Sequence, residues 1–135
     1  MYDWTNKVAA ITGASSGIGA VTARMMAERG AAVLLMARSE DKLAELSRQL
    51  PGTSDAFILD VGSSESVERA FREALARHGR IDVLVNNAGY GMFQWVQDME
   101  LADFERMMNV NYMGVVRCTK AVLPSMLSAG SGHIV

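Results

Sequence analysis

The residues from Thr12 to Gly19, Thr12-Gly13-Ala14-Ser15-Ser16-Gly17-Ile18-Gly19, have the types and spacing that suit phosphate binding. Gly13 lets the chain turn sharply, in positive-φ geometry where a side chain would collide. Gly17 and Gly19, lacking side chains, let a pyrophosphate and a neighbouring strand come close to the backbone. The unpaired N–H groups of a following helix, and the positive end of its dipole, then meet the phosphate charge. Ser15 and Ser16 either add hydroxyl donors or cap that helix. Glycines by themselves serve equally well in a plain strand-to-helix turn, so the flanking elements decide what they mean.

Those flanks have the required form. Val8-Ala9-Ala10-Ile11 is an apolar run too short for a helix and reads as a buried strand. Residues 21–29 follow as a helix, with Ile18, Val21, Met25 and Met26 at helical spacing on one expected inner side. Gly30 stops it, and Ala32 to Ala37 is a second apolar strand of the kind covered on both faces. Ser39 is placed to cap a helix from Glu40 to Leu50, with Leu43, Leu46 and Leu50 inward and Pro51-Gly52 at its end. Ala56 to Leu59 reads as a third strand. Ser63 or Ser64 caps a third helix carrying Val67, Ala70, Phe71, Ala74 and Leu75. Ile81 to Val85 is a fourth strand, residues 90–101 a loop, and one long helix is expected from about Ala102 to Ser128. Gly130-Ser131-Gly132 breaks that helix, and His133-Ile134-Val135 looks like the start of a fifth strand. Alternating strands and helices with uniformly apolar strands imply an α/β fold, a doubly wound parallel sheet of Rossmann type. The expectation is one incomplete dinucleotide-binding domain over residues 1–135, stopping just after the fifth strand begins.

Composition narrows the class further. The chain has 135 residues, of which 50% are hydrophobic and 21% charged, with net charge −2. No basic run argues for nucleic acid, and no apolar stretch approaches the roughly 20 residues of a membrane span. Residues 1–7 lack the apolar region of a signal peptide. Cys118 is the only cysteine, so no internal disulfide can form and a reducing, cytoplasmic setting is expected. Ten methionines suit an adaptable core. His78 is expected to face the helix dipole or solvent, and His133 has no metal partner nearby in sequence. Phe93 and Trp95 read equally as a substrate mouth or as loop packing.

With the motifs in order, the sequence resembles the classical short-chain dehydrogenase/reductase family across essentially the whole chain. Residues 12–19 match the family's TGxxxGIG cofactor motif. Asp60-Val61 sits where the family contacts adenine. Asn86-Asn87-Ala88-Gly89 matches its NNAG motif, and Val110-Asn111 its Val-Asn pair. The resemblance implies a hydride transfer between a nicotinamide and a small carbonyl or alcohol substrate. It implies cofactor contacts from Thr12, Gly13, Ser15, Ser16, Gly17, Ile18, Gly19, Asp60, Val61, Asn87, Ala88 and Gly89. Asn111 corresponds to the family's fourth catalytic residue, which holds a water in a proton relay. The family's catalytic Ser follows the fifth strand and its Tyr-x-x-x-Lys pair lies beyond. Neither Tyr90 nor Tyr112 has Lys four residues later, so the 135 residues are expected to be inactive alone.

Two local readings stay open for these motifs. Asp60 can accept from the adenine amino group with Val61 packed on the ring, or act as a helix N-terminal carboxylate near Ser63. The Asn87 turn can line a ligand site at a strand's C-terminal edge, or its amide can bridge strands. Cofactor choice turns on the end of the second strand, where NAD sites keep an Asp or Glu for the ribose hydroxyls. Here Ala37 stands in that place and Arg38 follows. A guanidinium suits a 2′-phosphate, so NADP(H) is favoured over NAD(H). Val110, Met113, Val115, Val116, Ala121, Val122, Leu123, Met126 and Leu127 spread beyond one stripe of the long helix. Such a helix is buried on more than one side, so a homo-oligomer is expected. The competing reading is a non-catalytic nucleotide-binding or interaction module.

Overall fold

The computed structural model describes residues 3–135; Met1 and Tyr2, part of the stretch read for a leader, lie outside the described residues. Five strands form one sheet in the order β3-β2-β1-β4-β5, every pair parallel. They are β1 (Val8–Thr12), β2 (Ala32–Ala37), β3 (Ser54–Ile58), β4 (Val83–Val85) and β5 (His133–Ile134). Successive side chains of a strand point to opposite faces, so an apolar run on β1 must be covered twice. Val8 and Ala10 belong to one core with Leu34, Phe57, Phe71, Cys118 and Val122. Ala9 and Ile11 belong to the other, with Val33, Leu35, Ala23, Leu43 and Leu46. The helices supplying these layers are α1 (Gly17–Glu28) and α2 (Glu40–Gln49) on one face, with α3 (Ser64–His78) and α5 (Met113–Ala129) on the other. Between them in sequence lies α4 (Leu101–Asn111), which packs on α5.

Three expectations are corrected. On α1 the inward residues are Gly19, Ala23 and Ala27, while Ile18, Val21 and Met25 are exposed and only Met26 packs partly on the core. Small residues win that face because the helix must start close to the glycine turn. A Cβ on Gly19 would come within 3.0 Å of the Gly13 carbonyl. The expected long helix is two helices, parted at Tyr112 with φ −109° and ψ −60°. The side chain of Asn111 is tied to the backbone of Tyr90, and Gly114 sits so near Val61 that a Cβ there would lie 2.8 Å from its Cγ2. Both contacts hold the chain at the junction, across which the Tyr112 N–H still donates to the Met108 carbonyl at 3.0 Å. Finally, of the two readings for His78 the position at the helix dipole holds, in the last turn of α3, but solvent does not: the side chain is nearly buried, with Nε2 2.9 Å from Asp55 Oδ2 and its ring edge-on to Phe57.

Asp82 anchors the end of the sheet opposite the glycine turn, and the sequence pattern does not reveal it. Its buried carboxylate accepts from the Val8 N–H at 2.9 Å through Oδ2, while Oδ1 pairs with Arg80. Removing it leaves a buried N–H without an acceptor. Asp82→Ala is therefore expected to lower stability by about 2–3 kcal/mol, and Asp82→Asn by less, because the amide oxygen still accepts. Urea midpoints of the two variants check this; equal, negligible shifts overturn it.

Candidate functional site

The strand order reverses direction between β1 and β4, and in open α/β sheets such a crevice at the strands' C-terminal ends is where ligands bind. A cleft of about 950 Å³ opens there. Gly13, Ser15, Ser16, Gly17 and Ile18 line its floor, followed by Ala37, Arg38, Asp60, Val61, Asn87, Ala88 and Gly89. Most of the residues singled out from the sequence thus converge on one cavity.

The floor suits a diphosphate. Gly13 has φ +68°, and a Cβ there would lie 2.9 Å from the Ala88 Cα. Gly17 has φ +54° and open space where its Cβ would be. The turn therefore packs tightly against the β4 loop on one side and is bare toward the cleft on the other. The opening N–H groups of α1 have no intrahelical acceptor, and they carry the positive end of the dipole. Ser16 occupies the N-cap position without a side-chain capping bond, so its hydroxyl is available to a ligand rather than spent on the helix.

A cationic rim flanks the end of β2. Arg38 is exposed and lines the cleft with Ser39 and Lys42. Among the described residues neither Arg38 nor Lys42 pairs with a carboxylate. Lys42 was missed in the sequence, although its position one turn beyond Arg38 at the start of α2 was a usable signal.

The far wall is made by the loop after β3 and by α4. Asp60 Oδ1 accepts from the Gly62 N–H at 2.9 Å, and the Asp60 N–H donates to Ser66 Oγ at 3.0 Å. The carboxylate thus shapes its own turn and still stands at the cleft. Val61 is mostly buried yet borders the cavity beside Val110. Arg106 and Asn109, also unassigned from sequence, join this wall; Arg106 pairs with Asp103.

Thr12, Gly19 and Asn111 do not border the cleft. Thr12 is fully buried: Oγ1 accepts from the N–H groups of Asn87 and Ala88, both at 3.0 Å, and donates to the Val85 carbonyl. Asn87 Nδ2 donates to the Thr12 and Gly13 carbonyls at 3.0 and 3.3 Å. The strand-bridging reading of that amide is therefore present in the structure, at the cleft's edge. Asn111 clasps Tyr90 twice, accepting from its N–H at 3.0 Å and donating to its carbonyl at 2.7 Å. Asn86 keeps both side-chain polar atoms out of water with no partner among the described residues. Phe93 and Trp95 neither pack their loop nor reach the cleft, and both are exposed. Cys118 is no nucleophile, since burial pushes its thiol up to about 12.

A parallel sheet ordered 3-2-1-4-5, with a glycine cradle at its switch point, defines a Rossmann-type nucleotide fold. The chain matches the short chain dehydrogenase family over residues 7–135 and belongs to that family of oxidoreductases. It is 38% identical over 139 residues to an uncharacterized oxidoreductase of Staphylococcus saprophyticus, covering 100% of this chain and 59% of that protein. A metagenomic short-chain oxidoreductase solved in complex with NADP superposes with TM-score 0.93 at 36% identity, covering 98% of this chain and 62% of that one. An alcohol dehydrogenase from the archaeon Thermococcus sibiricus, complexed with 5-hydroxy-NADP, gives 0.90 at 40% identity, covering 95% and 57%. The chain thus spans somewhat over half the length of the relatives it matches. Among the described residues no helix is long and apolar enough to cross a membrane.

Proposed function

We propose that the protein is an NADP(H)-dependent oxidoreductase acting between a nicotinamide and a small carbonyl or alcohol substrate in the cytoplasm. The observation carrying this reading is the rim of Arg38, Ser39 and Lys42, in which neither cation has a carboxylate partner among the described residues, beside a floor where Gly17 leaves open space. The NADP and 5-hydroxy-NADP bound by two similar proteins support it. When bound, the nicotinamide supplies or accepts the hydride. The protein's own residues do the holding. The opening N–H groups of α1 and the Ser15 and Ser16 hydroxyls receive the diphosphate, and Arg38 and Lys42 receive the 2′-phosphate. Asp60 accepts from the adenine amino group while Val61 packs on the ring. Thr12 and Asn87 keep the β1 and β4 ends together beneath it, and Asn111 fixes Tyr90 at the mouth. Of the family's acid–base set only Asn111 lies in residues 1–135, so these residues by themselves are proposed not to reduce a carbonyl. Titration of protein fluorescence with NADPH and NADH tests the reading. Tighter binding of NADPH is expected, and equal affinities overturn the preference.

Self-association belongs to the same proposal, through the part of the expected helix surface that stays exposed together with Met108 of α4. Val122 and Met126 are buried in the core, whereas Met108, Met113, Leu123 and Leu127 are exposed on α4 and α5. These are proposed to meet a second copy. Light scattering over a dilution series is expected to show dimers or larger species, shifted toward monomer by Leu127→Glu. A monomer persisting at high micromolar concentration overturns it.

A further inference from the structure

Arg117 on α5 stands behind the adenine-side wall without bordering the cleft, and its guanidinium ties together the two segments that make that wall. Nε donates to Ser64 Oγ at 3.1 Å. Nη1 donates to the Val61 and Asn109 carbonyls, both at 3.1 Å. Nη2 donates to Asn109 Oδ1 at 2.7 Å. Asn109 then passes the link onward, its Nδ2 donating to the Gly62 carbonyl at 3.0 Å, and the Gly62 N–H closes the turn on Asp60 Oδ1.

Every acceptor of the Arg117 guanidinium is neutral, and no carboxylate pairs with it among the described residues. Part of the charge is met by the C-terminal end of α4, where Asn109 lies in the last turn and the helix dipole favours a cation. A half-buried arginine held only by carbonyls, a hydroxyl and an amide oxygen is spending its fork geometry on position. The loop it holds is pinned at its ends, with Leu59 N–H on the Ala37 carbonyl and Ser63 N–H on the Asp60 carbonyl, and Arg117 adds its tie to α4 and α5 through the Val61 carbonyl. Residues 59–63 join β3 to α3, and Asp60 is exposed.

We propose that Arg117 is a positioning residue for adenine recognition, fixing Asp60 and Val61 by clamping their loop to the α4–α5 junction. The inference rests on the reading of the cleft as a dinucleotide site and goes one residue deeper than the wall itself. Lysine cannot replace it, because one ammonium on a flexible stem does not span acceptors lying in three directions.

The test compares NADP(H) with its deamino analogue, nicotinamide hypoxanthine dinucleotide phosphate, in which an acceptor oxygen replaces the adenine amino donor. Calorimetric titration returns the affinity and the fraction of competent protein separately. Wild type is expected to prefer NADP(H) by about tenfold, the worth of one hydrogen bond to a charged group. In Arg117→Ala and Arg117→Lys that preference is expected to fall to within about twofold, at unchanged stoichiometry. A merely structural role would lower the competent fraction or the melting temperature and leave the preference of the folded protein intact. Should Arg117→Ala fail to fold, Arg117→Lys, which keeps the stem and the charge, decides the matter alone. Variants that retain the wild-type preference overturn the proposal while leaving the cleft's assignment standing. A wild-type protein that binds neither dinucleotide overturns the assignment of the cleft and the proposal with it.

Discussion

Gly19→Ala is expected to cost about 3 kcal/mol or more of stability, the range of a core overpacking that rotamer changes cannot relieve. The added Cβ would sit within 3.0 Å of the Gly13 carbonyl and of Asn87 Nδ2. The first is backbone and the second is already held by the Thr12 and Gly13 carbonyls, so neither yields cheaply. Relief requires α1 to move off β1, which opens the apolar contacts of Ala23 and Ala27 as well. Gly17→Ala makes the matched contrast. Its Cβ meets nothing within 4 Å, so the penalty is the left-handed backbone at φ +54°, about 1 kcal/mol. That Cβ stands on the floor of the cleft, where the diphosphate is proposed to lie. Gly17→Ala is expected to fold and to bind NADPH at least about tenfold more weakly. Urea unfolding and NADPH titration of both variants separate the effects. A Gly19→Ala protein with the wild-type urea midpoint shows that the turn is not packed as described.

Arg38→Ala carries the second large effect. It is expected to weaken NADPH by about 10- to 100-fold and to leave NADH nearly unchanged, because only the former bears the 2′-phosphate. Lys42→Ala acts in the same direction with a smaller loss, since an ammonium offers a point charge and no bidentate fork. The contrast arises at the end of β2, where Ala37 leaves no carboxylate at the position an NAD site would occupy with one. Introducing the acid, as Ala37→Asp together with Arg38→Ala, is expected to reverse the order of affinities. Arg38 is exposed and charge effects there are screened, so the contrast should shrink as ionic strength rises. Equal losses for both dinucleotides in Arg38→Ala overturn the assignment.

Much of the architecture was legible in the linear chain because its causes are local. Uninterrupted apolar runs at 8–11 and 32–37 can only be strands covered twice, and the two cores divide their residues alternately between the faces. Leu43, Leu46, Val67, Phe71 and Ala74 were readable as inward residues from helical spacing alone, since α2 and α3 are amphipathic and each packs one face. The glycine turn was readable because positive φ and close approach leave glycine as the residue of choice. The inward face of α1 was not readable: hydrophobicity ranks Ile18 and Met25 above Gly19 and Ala23, and closeness to Gly13 reverses that order. The parting of α4 from α5 was hidden for the same reason. Residues 102–128 keep helical character throughout, and the Tyr90 and Val61 contacts at the junction come from distant parts of the chain. Arg117 reads in sequence as one more surface charge, and Asp82 as a polar interruption in a strand. Each acquires its meaning from backbone partners 56 and 74 residues away, where a buried polar group must find a partner that composition and periodicity do not name.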